Sequence, residues 1–189
     1  MASRSDSKRA MTERILDVAD RLFYHQGIRA VGVDAIAAEI GISKRTLYNY
    51  FPTKDALIAA YLQRRMVPFK QSDKPPIEQI LWFFDRLERT AGDDDFRGCP
   101  FVNAVSEIAE PKHPARKLAQ RFKEDRRLWL RERLAEAGVL SPDALATQLQ
   151  LLSEGAIAAV LVRGDARMVR VAKQGAITLL KAAGVQGVG

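Results

Sequence analysis

An all-α fold of about nine helices is what this sequence predicts, on three observations. Apolar residues recur every three or four positions through almost the whole chain, the period of one helix face. No stretch alternates apolar and polar residues convincingly enough to be a strand. The breaks between periodic stretches hold glycine, proline and small polar residues, which stop and cap helices. With 189 residues, 47% of them apolar and 28% charged, the chain has material for one or two packed domains, and its composition argues against disorder.

The first helix is expected from about Thr12, with Ile15, Leu16, Ala19, Leu22 and Phe23 on one face and Gly27 as its stop. A short helix follows over about residues 34–40 and ends at Gly41. Ser43 then caps a helix over about residues 44–51. Pro52 breaks that helix, and Thr53 caps a fourth running towards Val67. The stretch Gln71-Ser72-Asp73-Lys74-Pro75-Pro76 is the clearest change of composition and separates two halves. A fifth helix carries Ile77, Ile80, Leu81, Phe84 and Leu87 on one stripe. After the acidic loop at Asp93, Asp94 and Asp95 comes a sixth over about residues 100–110 and a long charged one over about 114–137. The loop lacks the ligand spacing of a calcium site, so it reads as solvated. Gly138 stops the long helix, and Ser141-Pro142 opens the next with a cap and a first-turn proline. Gly164 and Asp165 end that helix and cap the last, which runs to about Ala183.

The net charge of +7 and the pI near 9.8 favour a polyanionic partner without choosing among polyanions. The first 65 residues hold 11 Lys/Arg against 7 Asp/Glu, the remaining 124 hold 19 against 16, so the basic excess is denser at the N-terminus. The polar opening MASRSDSKRA is not a targeting segment, and the longest purely apolar run, Ala156 to Val162, is too short to span a bilayer. One cysteine, Cys99, excludes an internal disulfide framework. The expectation is a cytoplasmic protein without a membrane partner, a metal or a cofactor.

The stretch GISKRTLYNYFPTKDAL, residues 41–57, holds two adjacent cations and several aromatics in one short helix. With Leu47 set inward and 100° per residue, Phe51 lies about 40° away and also packs inward. Arg45 and Asn49 fall about 160° away on the opposite face, flanked by Thr46 and Tyr48 at about 100°. Arginine and lysine donate to guanine edges, asparagine pairs with adenine, and Thr and Tyr hydroxyls reach phosphates. A short helix, a tight Gly-Ile-Ser turn and this second helix together form a helix-turn-helix, which reads the major groove. The competing reading is an ordinary solvated helix face. The matched preceding helix, the turn glycine and the exposed tyrosine all count against it.

The segment TERILDVADRLFYHQGIRAVGVDAIAAEIGISKRTLYNYFPTKDALIAAYL resembles the DNA-binding domain of the tetracycline-repressor (TetR) family of bacterial transcriptional regulators. LFYHQG, IAAEIGIS, TLYNYF and the following K-D-A-L occur in order at the expected spacing. The resemblance implies a homodimeric repressor that reads a palindromic operator in double-stranded DNA and releases it when a small molecule binds the C-terminal domain. It assigns DNA contacts to Ser43, Lys44, Arg45, Thr46, Tyr48, Asn49, Tyr50 and Lys54. Residues 1–53 become the DNA-binding domain and 54–189 the effector-binding and dimerisation domain. One departure is Gly32, where many members cap the helix with Ser or Thr; it removes a hydroxyl, not the helix.

The second half carries two further assignments. Trp82, Phe83, Phe84, Cys99, Phe101, Asn103, Phe122 and Trp129 are pocket candidates, since ligand sites in helical proteins sit between helices with few polar groups. Core packing is the competing reading for each aromatic, and the stripe commits Phe84 to the core ahead of Trp82 and Phe83. Cys99 beside Arg97 reads either as a reactive thiol or as a small buried side chain. The last two helices carry small residues, Ser153, Gly155, Ala156, Ala158 and Ala159, beside Leu149, Leu152, Val160, Ile177 and Leu180. Paired with a second chain they form a four-helix dimer interface; completing the protomer core is the alternative. The cations from Lys112 to Arg133 read as a solvated face with acid partners. Enzyme chemistry has only a Cys99–His113 pair to draw on, so no catalytic residue is assigned; His25 and His113 otherwise read as surface or cap residues. Activation instead of repression, or a helical interaction module that does not read DNA, are the remaining alternatives.

Overall fold

The computed structural model describes residues 4–68 and 72–187; Gln71, first in the expected loop, lies outside them. Nine helices and no strand stand among the described residues: α1 (Arg4–Gln26), α2 (Val33–Ile40), α3 (Lys44–Tyr50), α4 (Lys54–Arg65), α5 (Pro76–Ala91), α6 (Pro100–Glu107), α7 (Pro114–Glu136), α8 (Pro142–Arg163) and α9 (Arg167–Ala182). The all-α expectation holds. Only the start of α1 departs far from its expected bound, and the reason is physical. Residues 5–10 are exposed all round, so no apolar stripe marks that extra length.

The chain divides into two compact units. The first holds the described residues up to Val67 together with Pro100–Gln120, and its centre is α1 packed on α2 and α4. Ile15, Ala19, Leu22 and Phe23 of α1 are buried with Ile36, Leu47, Leu57, Ile58, Tyr61 and Leu62. Phe23 and Tyr61 meet edge to face at 5.7 Å. Arg65 grips both carboxylate oxygens of Asp20 at 2.6 and 2.5 Å and lies over the Tyr24 ring at 4.4 Å. That fork-to-fork pair ties the end of α4 to α1, so the compact unit continues past residue 53.

The second unit is α5, α7 from Arg121, α8 and α9. Its core joins Ile80, Phe83 and Phe84 to Leu130, Leu134, Leu145, Leu149, Val160, Val169, Ile177 and Leu180. Phe83 is thus committed to the core beside Phe84, whereas Trp82 is 39% exposed. Pro142 opens α8 as expected, but Ser141 makes no side-chain cap bond; Asp165 does accept from the Arg167 amide at 2.9 Å.

Of the residues expected at a dimer interface, Leu149, Ala156, Val160, Ile177 and Leu180 are buried in the protomer's own core, and Leu152 and Ala159 are half-buried. α8 is apolar on every side, so its sequence does not mark which stripe faces α9 of the same chain. The stripe left outside carries Leu151, Gly155, Ala158 and Val162. α8 is also the one described helix long and apolar enough to cross a bilayer, yet nearly half of that stretch is buried in the unit, as in a core helix.

Candidate nucleic-acid interface

The interface is built from α2, a three-residue turn and α3. Val33, Ile36, Ala37 and Ile40 bury one face of α2. Gly32 stands at its N-cap with extended backbone and no side-chain bond, while Asp34 supplies negative charge to the first turn. Gly41 ends the helix at φ 79°, a left-handed conformation that suits glycine, and its amide reaches the carbonyls of Ala37 and Ala38 at 3.0 and 3.1 Å. Ser43 then caps α3: its Oγ accepts from the Thr46 amide at 3.0 Å and lies 2.8 Å from the Thr46 hydroxyl. Leu47 is fully buried and Phe51 nearly so, which fixes the rotation of α3 about its own axis.

That rotation turns Arg45, Tyr48 and Asn49 outward as one exposed ridge. Among the described residues, neither the Arg45 nor the Asn49 side chain makes a hydrogen bond or ion pair, and both residues are exposed. Lys44 is exposed and donates to Asp34 at 2.9 Å; that bond, helped by the carboxylate's charge, holds the ammonium above its usual range. So exposed a pair is weak and readily exchanged for a phosphate. Thr46 and Tyr50 are half-buried, and Ser43 and Thr46 spend their hydroxyls on each other, so these three are less available than the ridge.

Lys54 is engaged within the unit. Its Nζ donates to the Ile28 carbonyl at 2.6 Å, and burial pushes the ammonium below its usual range. It braces the α1–α2 turn. Sequence reading also missed the second brace, Glu107 at the end of α6, whose carboxylate accepts from the Arg29 amide at 2.8 Å. Gly27 makes room for it: φ is 92°, and a Cβ there would stand 3.0 Å from the Glu107 carboxylate. The α6–α7 connection is closed by Arg116, which donates to the carbonyls of Ile108 and Glu110 at 3.0 and 3.1 Å. His113, buried there, accepts from the Ala115 amide at 3.1 Å through Nδ1 and turns Nε2 to Asp55 at 3.3 Å. Both ring nitrogens are thus engaged within this connection.

The pocket candidates fall into both units. Phe101, buried, and Asn103, half-buried, belong to the first. Trp82, Phe83, Cys99, Phe122 and Trp129 belong to the second, where Phe83 stands 6.1 Å from Trp129 and Cys99 is buried. No group of three His, Cys, Asp or Glu placed to hold a metal occurs among the described residues.

A capped short helix turned outward by one buried leucine, behind a glycine-ended partner, defines the class: a helix-turn-helix DNA-binding protein. Comparison with known proteins agrees. Residues 15–61 match the family described as "Bacterial regulatory proteins, tetR family", and residues 76–175 match "Transcriptional regulator LmrA/YxaF-like, C-terminal domain". The crystal structure of a putative TetR-type transcriptional regulator from Streptomyces avermitilis is 34% identical, with a TM-score of 0.82 over 93% of this chain and 98% of that one. A TetR-family transcriptional regulator from Streptomyces coelicolor is 29% identical, again with a TM-score of 0.82, over 93% and 95%. The uncharacterized helix-turn-helix transcriptional regulator YxaF of Bacillus subtilis is 28% identical over 179 residues, 87% of this chain and 90% of that protein. The chain belongs to the TetR family of transcriptional regulators.

Proposed function

We propose that this regulator is a homodimeric repressor in the cytoplasm that binds a palindromic operator and releases it when a small molecule occupies its C-terminal region. The observation that carries the reading is the outward ridge of Arg45, Tyr48 and Asn49, with Lys44 at its edge. Arg45 reads a guanine, Asn49 an adenine, and Tyr48 and Lys44 hold the backbone. DNA reading ends by residue 53; the remainder, residues 54–189, carries effector binding and dimerisation.

A palindrome reader needs two copies of α3 about one DNA turn apart. The apolar outer stripe of α8 supports that second copy: Leu151 is 63% exposed and Val162 85%. We assign the dimer contact to this stripe, with Leu161 and with Val171 of α9, in place of the residues that fill the protomer core. Exposed apolar residues of this size, gathered on one small-residue helix, are the composition of an interface between copies.

The test is selection of bound duplexes from a random pool at near-physiological salt, with the purified protein. A recovered palindrome with two equivalent half-sites is the expected result. Enrichment of nothing beyond random DNA, with and without cell extract as a source of effector, would overturn the reading. Placing the recovered operator across a reporter promoter then separates repression from activation.

A further inference from the structure

The first turns of α1 belong to no core. Residues 5–10 are exposed, and residues 4–14 stand ahead of residues 15–61, where the family match lies. The helical period nevertheless gives their cations a side. Lys8 and Arg9 lie seven residues ahead of Ile15 and Leu16, so each stands within about 20° of a buried residue's direction. The face that is apolar inside the unit thus turns basic where it leaves the core. An apolar residue at either position would lengthen the core stripe, whereas a cation calls for water or an anion.

The acids of α1 do not answer these cations. Arg9 and Glu13 are four apart, the spacing of a helical ion pair, but Glu13 turns to Arg64 of α4 at 3.8 Å. Asp17 also goes to Arg64, at 2.6 Å, and Asp20 goes to Arg65 at 2.5 Å. Asp6 stands about 160° round the helix from Lys8. Among the described residues, no carboxylate pairs with the Lys8 or Arg9 side chain, and neither side chain makes a hydrogen bond.

Arg14 sets where this face stands. Its guanidinium donates to the Ile40 carbonyl at 3.4 Å, which holds α1 against the end of α2, where the Gly41 turn leads into α3. The extension and the α3 ridge therefore leave the unit from one corner. Lys8 is six residues beyond Arg14, about 9 Å at the helical rise. Phosphates follow one another about every 3.4 Å along a strand, so that length spans about two or three of them.

We propose that Lys8 and Arg9 grip the phosphate backbone of the DNA flanking each half-site, outside the bases that α3 reads. This rests on the DNA-binding reading above and widens its footprint. Cations that meet phosphates add affinity without base preference, in contrast to Arg45 and Asn49. A merely solvated face makes a different prediction, since substitution there moves neither affinity nor its salt dependence.

The experiment titrates the full-length protein, over a salt series, against two duplexes that carry the selected operator. One ends at the outer edge of the half-sites, and the other continues about one helical turn on each side. Lys8→Gln with Arg9→Gln should weaken binding to the long duplex about tenfold and flatten the log–log salt slope by about 2 for each protomer bound. Wild type should favour the long duplex, and this double variant should bind both alike. Lys8→Arg with Arg9→Lys keeps both charges and should keep the wild-type values. Arg121→Gln with Arg131→Gln removes equal charge from the acid-paired face of α7 and should change affinity less than about twofold. An unchanged slope in the Lys8→Gln, Arg9→Gln protein, a kept preference for the long duplex, or an equal loss from the α7 pair would overturn the proposal. Both positions are exposed, so a cooperative melt is expected; should it be lost, Lys8→Gln alone takes its place, with half the change in slope. A protein that selects no operator refutes the regulator reading. The same salt series on random-sequence duplexes then decides the grip, a flatter slope upholding it and an unaltered one refuting it.

Discussion

α3 and α7 are both basic helices, and they spend their charge in opposite ways. Along α7, Arg127 and Arg131 share Asp143, Arg133 holds Glu136, and Arg116 closes two carbonyls. On α3 only Lys44 has an acid, Asp34, while Arg45 and Asn49 point outward from a helix pinned by Leu47. The longer helix holds far more charge, yet the shorter one has donors left for another molecule. Net charge identifies a protein that attracts polyanions; donors left unanswered identify the surface that reads one.

The comparison breaks most visibly at its anchor. Leu47→Ala should lower the stability of the first unit by about 2–5 kcal/mol in denaturant unfolding. A change no larger than that of a surface substitution would mean that something else orients α3. Next, Arg45→Ala should lose about 1–3 kcal/mol of discrimination at one base position per half-site. Arg131→Ala, which removes an exposed and acid-paired cation of α7, should leave operator affinity where it was; equal losses from the two would erase the distinction between the helices.

A smaller effect sharpens it. Ser43→Ala removes the α3 cap and should weaken stability by about 1 kcal/mol, lowering affinity for all sequences alike without changing base preference. Altered preference at one base in the selection would instead give Ser43 a direct reading role. The smallest effect belongs to α7. Hydrogen bonds from Arg127, then from Arg131, hold the Asp143 carboxyl below the usual carboxylate range. Its contribution is therefore full above the unfolded value of about 3.9 and is lost as pH falls through the lower folded value. The melting difference between wild type and Asp143→Asn should be present at pH 7 and close below about pH 4. A difference that persists in acid would assign it to packing.

How much of this was legible in the sequence follows from distance along the chain. The α3 ridge depends on Gly41, Ser43 and Leu47, all within one short segment, and the helical period places them. Thr53 capping α4 is equally local, accepting from the Ala56 amide at 3.0 Å. The Lys54 bond is not legible locally, because its partner, the Ile28 carbonyl, lies 26 residues away. Glu107 gave no signal at all, since its amide partner is 78 residues distant. For α8 the obstacle was different: a helix apolar on all sides has two defensible core faces, and only packing chooses.

The two braces on the α1–α2 turn have a consequence for how this protein tolerates change. Lys54 holds a carbonyl oxygen and Glu107 an amide hydrogen, so both grip the main chain and not the side chains of Ile28 and Arg29. A grip of that kind is blind to the outer residue's identity. Arg29 is exposed, and substitutions there that keep the backbone path leave the hold intact. Gly27 has no such freedom, because any side chain would crowd Glu107. Mutational drift at this joint is thus channelled: the residue nearest the solvent is disposable, and the one with no side chain is not.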